Sequence, residues 1–230
     1  MNKLKTLIVV LPLMSTSLVH AASPNQLYAA IDGGVFQANF NNSYLDQTDV
    51  IPQNISNSSL QDGYTGGLAI GFNHSLNASS FLGLELSGHL DSNSALFQSG
   101  ASTTAFSDEI KMRHHVDLTV IPGIMTLGSF FPYLKLGLSY ASIRDDLTSP
   151  VGYNPVMTQY QSNKSIYGFA AALGVKHPVG EHLGLFAEAN YHDYGNINLS
   201  NFQNFSATYT HSARLCSYGL VVGAAYAINV

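Results

Sequence analysis

Charge is what this chain has least of. Asp, Glu, Lys and Arg make up 10% of its 230 residues, against about 25% in an average soluble domain. Hydrophobic residues stand at an ordinary 46%, so uncharged polar residues and 20 glycines fill the gap. A disordered chain would carry more charge and fewer aromatics than the 13 Tyr and 12 Phe found here. Nine Lys and Arg with a net charge of −5 exclude a basic nucleic-acid binder. A single cysteine, Cys216, excludes an internal disulfide framework and a zinc cluster of thiolates. Long apolar runs are missing as well. A membrane-spanning helix needs about 20 apolar residues, and beyond the N-terminus the longest runs, at 166–175 and 218–228, reach about half that length.

The N-terminus has the three parts of a secretory signal. Lys3 and Lys5 form its basic region, residues 7–14 its apolar core, and Val19-His20-Ala21 its cleavage site. Cleavage after Ala21 leaves residues 22–230 as the mature domain. The shifted site His20-Ala21-Ala22 is poorer, because it puts His where a small residue belongs. The apolar core is too short to act as a spanning anchor. No cysteine stands near the cut for lipid attachment.

Apolar and polar residues then alternate with period two, the signature of half-buried strands. Eight such segments are expected, at 27–37, 64–73, 81–90, 110–121, 131–141, 166–176, 183–192 and 215–230. In the third, Leu82, Leu84, Leu86 and Leu90 face one way, and Glu85, Ser87 and His89 the other. In the fourth, Ile110, Met112, Val116, Leu118 and Val120 oppose Lys111, Arg113, His115, Asp117 and Thr119. Connections alternate in length. Short turns around Asn77, Gly128 and Gly180 join strands two to three, four to five and six to seven. Long polar segments at 38–63, 91–109, 142–165 and 193–214 join the others. Such sorting is the layout of an up-and-down transmembrane β-barrel with short periplasmic turns and four long extracellular loops.

In lipid every backbone group must be paired, so the sheet must close. Tyr64, Phe72, Tyr140, Tyr191, Tyr218 and Tyr226 lie on apolar faces and suit the interfacial girdles. With no Trp in the chain, Tyr and Phe must form both. By parity the opposite faces bring Asp32, Glu85, Asp117 and Glu188 into the lumen with Lys111, Arg113, Lys135 and Lys176. Four acids against four bases read as an internal ion-pair network, because buried charge persists when paired. Asp32, Glu85, Lys135 and Glu188 stand at similar distances from the periplasmic ends of their strands and are expected to share a layer. An ion path is the alternative use of these charges. An eight-stranded lumen is only wide enough for side chains to fill, which favours a plug.

Gly63 to Phe72 (GYTGGLAIGF), Pro122-Gly123, Pro132 to Tyr140 (PYLKLGLSY) and Ala187 to Tyr194 (AEANYHDY) resemble the OmpA-type barrels and the opacity-type, OmpX-like surface antigens. The resemblance covers nearly all of the mature chain and rests on the order and spacing of these motifs. It implies an eight-stranded barrel in the outer membrane of a Gram-negative bacterium, with a structural, surface-antigen or adhesion role carried by surface loops. It also implies lipopolysaccharide and outer-membrane lipid as surroundings, and the barrel-assembly machinery as a partner. Gly223, Tyr226 and Ile228 resemble the C-terminal assembly signal, which departs from the family pattern by ending in Val230 rather than Phe.

No catalytic constellation converges. His114 with Glu109, or His74-Ser75, could begin a hydrolase site, but His74-Ser75 lies at a short turn, and His114 and His115 point to opposite faces. His89, His115 and His192 face inward near the outer end and could ligate a metal; interior hydrogen bonding is the commoner use. No enzyme activity, cofactor or metal site is therefore assigned, and a monomer is expected. A low-conductance pore and a lipid A-modifying enzyme remain the alternatives. The long segments carry Phe40, Tyr44, Ile51, Tyr153, Met157, Tyr160, Phe202, Phe205 and Tyr209. These could anchor a host or surface ligand, or pack on one another. Asp46, Asp49, Asp145 and Asp146 read as a solvated acidic surface. Cys216 is placed on the outer face near the outer end of the last strand.

Overall fold

Period-two alternation has only one way to satisfy both its faces and its backbone, which is a paired strand. A computed structural model describes residues 25–46, 53–92, 95–99, 106–125, 130–148, 160–204 and 207–230. The expected signal segment, 1–21, lies outside the described residues. Every regular element among them is a strand: β1 (Asn25–Asp46), β2 (Gln53–Asn77), β3 (Ser80–Ser92), β4 (Ala95–Ser99), β5 (Phe106–Ile124), β6 (Phe131–Thr148), β7 (Tyr160–Pro178), β8 (Leu183–Asn204) and β9 (Ala207–Asn229). All pairings are antiparallel, in the order β3-β2-β1-β9-β8-β7-β6-β5-β4, and β3 also pairs with β5. That last pairing closes the sheet. β3 and β4 lie end to end along β5, so nine strands make an eight-stave barrel.

The staves are longer than the alternation alone suggested. A tilted strand crosses a bilayer in about 9–11 residues, yet β1 has 22 and β2 has 25. The segments expected as long loops are in large part strand. β1 and β2 stay in register as far as Asp46↔Gln53. β8 and β9 do so as far as Asn204↔Ala207. The segment 91–109 contributes β4 and the start of β5. Polar residues extend a strand readily once one face can be solvated.

Outward residues of the lower part form an apolar band. Ile31, Leu68, Leu138, Leu173 and Val222 are each more than 60% exposed, which suits a lipid-facing surface. Tyr64, Tyr191 and Tyr218 stand at the outer margin of this band; Phe72 and Tyr226 stand at the inner one. Tyr140 takes an outer position too, bonded through its hydroxyl to Ser165 Oγ at 2.8 Å. Tyr167, 76% exposed and 5.3 Å from Tyr140 between ring centroids, joins that girdle. Of the assembly-signal residues, Tyr226 and Ile228 face outward. Gly223 faces inward under the Phe186 ring, where a Cβ would collide with that ring and with the Ile31 carbonyl.

Above the band the inside becomes mostly apolar, although Asp145, expected as part of a solvated acidic surface, is also buried there. Ala38, Phe40, Ile110, Met112, Ala141, Ile143, Ile166, Tyr194, Ile197, Ala213 and Leu215 form one buried cluster within the outer mouth. Two irregularities adjust the faces to it. A bulge between Met112 and His114 adds one residue to β5 and reverses its parity. A second lies between Asp193 and Gly195 in β8. There Gly195 takes a φ of 65°, a left-handed conformation that glycine adopts at little cost.

Candidate functional site

The lumen holds two polar layers, one above the other. The lower is built around Lys135 on β6. Its Nζ lies 2.7 Å from Glu85 Oε1 on β3 and 2.6 Å from Glu188 Oε1 on β8. Each carboxylate accepts a further bond from a tyrosine. The Tyr28 hydroxyl donates to Glu85 Oε2 at 2.7 Å, and the Tyr133 hydroxyl donates to Glu188 Oε1 at 2.7 Å. Facing glycines make room for both rings: Tyr28 lies over Gly71 and Tyr133 over Gly174, each its direct cross-strand partner. The second cation is Lys176, whose Nζ stands 5.3 Å above the centre of the Tyr28 ring. Two acids and two bases thus occupy one layer. Charge-assisted bonds of this kind hold best where water is scarce.

The upper layer pairs acids with histidines. His89 Nε2 meets Asp32 Oδ2 at 3.2 Å, and His115 Nδ1 meets Asp91 Oδ2 at 2.7 Å. His192 Nε2 meets Asp117 Oδ2 at 3.1 Å. The rings of His89 and His115 stack at 4.6 Å with 12° between planes. His192 Nδ1 reaches Ser217 Oγ at 3.4 Å. Tyr194 and Ser139 share a hydrogen bond of 3.0 Å just above.

The placement of the expected lumen set differs in three respects. Arg113 is exposed on the outer surface, and Lys111 lies outside too, with Nζ 2.8 Å from Glu109. The cause is the β5 bulge: counting by twos from Asp117 fails once one extra residue intervenes. Asp32 does not share the layer of Glu85, Lys135 and Glu188. It sits across from Gly67, which faces His89. Staves of a barrel are staggered by its shear, so equal distances from strand ends do not mean equal height. In place of Lys111 and Arg113, the bases of the upper layer are His89, His115 and His192. Asp117, Lys135, Lys176, Glu85 and Glu188 all point inward.

Several participants escaped the alternation. Tyr28 and Tyr133 carry inward parity, but alternation alone gives neither a carboxylate partner, since Glu85 and Glu188 come from other strands. Asp91 falls at the first residue of a segment read as loop. Among the loop aromatics, Phe40 is 1% exposed within the apolar mouth, so it is not a surface anchor. Ile51, Tyr153, Met157 and Phe205 lie outside the described residues, as does Asp49. Cys216 is half-buried on the outer side of β9, opposite Asp193.

Space inside is small. A cavity of about 60 Å³ adjoins both layers, bordered by Tyr28, Glu85, His89, Asp117, Lys135 and Glu188. A second, of about 20 Å³, lies above it against His89, His115, His192, Phe36 and Met112. Such volumes hold a few water-sized molecules at most.

Comparison with known proteins places this architecture. A family model described as the outer membrane protein beta-barrel domain matches residues 6–210. An uncharacterized protein of Coxiella burnetii is 28% identical over 219 residues, covering 88% of this chain and 84% of its own. Among solved structures, OprG of Pseudomonas aeruginosa is 15% identical with a TM-score of 0.49, over 92% of this chain and 98% of that one. Ail, the attachment invasion locus protein of Yersinia pestis, is 10% identical with a TM-score of 0.38, over 86% and 98%.

Proposed function

The chain belongs to the outer membrane protein beta-barrel domain family and resides in the cell outer membrane, and we propose that it works there as a closed-lumen surface protein acting through its extracellular hairpins. One observation carries this reading: the lumen is filled twice over. Glu85, Lys135 and Glu188 bridge it at the level of the apolar band. Phe40, Ile110, Met112, Ile143 and Leu215, each fully buried, fill the outer mouth. An ion crossing would have to break the first and displace the second. What remains accessible is the outer wall of the mouth, which is polar: Gln37 Nε2 donates to Asp62 at 2.6 Å, and Arg144 Nε to both Asp146 oxygens at 2.9 Å.

The partners of that surface, in this reading, are lipopolysaccharide at its base and a host or surface ligand at the hairpin tips. The role is structural or adhesive, without catalysis, and the protein acts as a monomer assembled by the barrel-assembly machinery. In planar bilayers the purified protein should give no steady open conductance; a stable open level would overturn the plug. Cells carrying the barrel with the segments 47–52 and 149–159 shortened should attach less well to host surfaces. Unchanged attachment would remove the adhesive role.

A further inference from the structure

We propose that the upper lumen layer is a metal site, in which His89, His115 and Asp117 bind one divalent transition-metal ion of the Zn²⁺ class. One ring nitrogen from each histidine and one carboxylate oxygen lie within 4.8 Å of one another, and all three residues are buried. Each has one polar atom held by a neighbour and the other turned elsewhere. Asp91 takes His115 Nδ1 at 2.7 Å, which leaves Nε2 facing Asp117 Oδ2 at 3.8 Å. Asp32 takes His89 Nε2, and His89 Nδ1 is buried without a hydrogen-bond partner. His192 takes Asp117 Oδ2, and Asp117 Oδ1 is likewise buried and unpartnered.

The supporting contacts of such a site are already in place. A metal-ligating histidine donates its second ring N–H to a carboxylate, which fixes the tautomer and raises the basicity of the ligand nitrogen. Both histidines already have that carboxylate. Buried polar atoms without partners call for a reason, and this layer holds four of them, Asp32 Oδ1, His89 Nδ1, Asp91 Oδ1 and Asp117 Oδ1; a cation held by His89 and the Asp117 carboxylate supplies one for two of them. Charge points the same way. Asp32, Asp91 and Asp117 are three buried carboxylates, and among the described residues only histidines stand within ion-pair distance of them. In the lower layer, by contrast, Lys135 bridges two acids. A divalent ion would supply the positive charge that the upper layer lacks.

Two imidazoles and a carboxylate suit Zn²⁺ and its late first-row neighbours, not Ca²⁺ or Mg²⁺, which prefer oxygen. Tetrahedral ligands at bond lengths of about 2.0–2.1 Å stand roughly 3.3 Å apart, and a metal lies in the plane of each imidazole it binds, so closure draws the three ligand atoms together from within 4.8 Å and turns one of the stacked His89 and His115 rings out of parallel. The 20 Å³ cavity against His89 and His115 has room for one bound water as the fourth ligand. Gly67 keeps the position of His89 open: a Cβ there would overlap its ring.

The test uses the full-length protein, folded in detergent without a histidine tag, dialysed against Zn²⁺ and then desalted for metal analysis. One equivalent per chain is expected. His115→Ala and Asp117→Asn should each abolish it, and Asp91→Asn should weaken binding about 10–100-fold by loss of the supporting carboxylate. His182→Ala, at a periplasmic turn, should change nothing. A gel shift on heating verifies that each variant is folded. A wild-type protein that retains no zinc overturns the proposal, as does zinc that persists unchanged in Asp91→Asn and in whichever ligand variants fold. This inference is independent of adhesion, since the site lies inside the wall.

Discussion

Between Tyr218 and Tyr226 the wall turns Leu220, Val222 and Tyr226 to the outside and keeps Glu85, Lys135, Asp117 and Glu188 inside. Above Tyr218 the same staves turn Asn39, Asn41 and Arg214 away from the axis and bury Phe40, Ile143 and Leu215. The hydrogen-bonded ladder runs through both regions without interruption in β1 and β9. Strand geometry is therefore indifferent to which face is apolar. The surroundings decide: hydrocarbon rewards an apolar exterior, whereas water rewards an apolar interior. The outer mouth is folded like a soluble barrel, and the lower part is its inverse. The bulge at Met112/His114 lies at the transition in β5, where one extra residue brings Met112 and Ile110 to the inside.

This contrast can be broken by mutation, and the largest effect should come from the band. Lys135→Met leaves Glu85 and Glu188 buried without their cation, which typically costs about 3–5 kcal/mol. Urea unfolding in lipid vesicles should show the loss, and adding Glu85→Gln and Glu188→Gln should recover part of it. Leu215→Ala opens a cavity in the mouth and should cost about 3 kcal/mol. Hydrogen exchange should report it chiefly in the strand extensions above Tyr218, with the band staying protected. Uniform loss of protection would mean that the two regions unfold as one. Val222→Arg, near the middle of the apolar band, should cost about 2–4 kcal/mol in the same assay. Asn41→Lys, an outward change in the mouth, should stay within about 0.5 kcal/mol. Equal effects from these last two would remove the distinction between lipid and water around the wall.

Much of the band was legible residue by residue. Alternation in β3, β6 and β8 sorted Leu84 from Glu85, Leu134 from Lys135 and Ala187 from Glu188 without any structure, because a strand has only two faces. Legibility ended where counting by twos ended. Lys111 and Arg113 were misplaced by a single bulge that leaves no mark in local composition. The mouth was misread for a related reason. Its inner residues, such as Phe40 and Ile143, are separated by polar neighbours, and a polar stretch looks like loop until a partner strand is beside it. Asp32 is placed in the lumen by parity and Asp91 is not, but the partners of both, His89 and His115, come from other strands and no count along one strand finds them.

The amino-acid order by itself determined that the chain is a closed sheet in the outer membrane. Its low charge and its period-two alternation suit strands whose backbone groups must all be paired within lipid, which an open sheet does not satisfy. Tertiary structure alone decided the height at which each lumen residue stands. Barrel shear and two bulges set that height, and they depend on how strands are staggered around the axis. That stagger put Lys135 between two glutamates, and it gathered His89, His115 and Asp117 from positions that the sequence keeps apart.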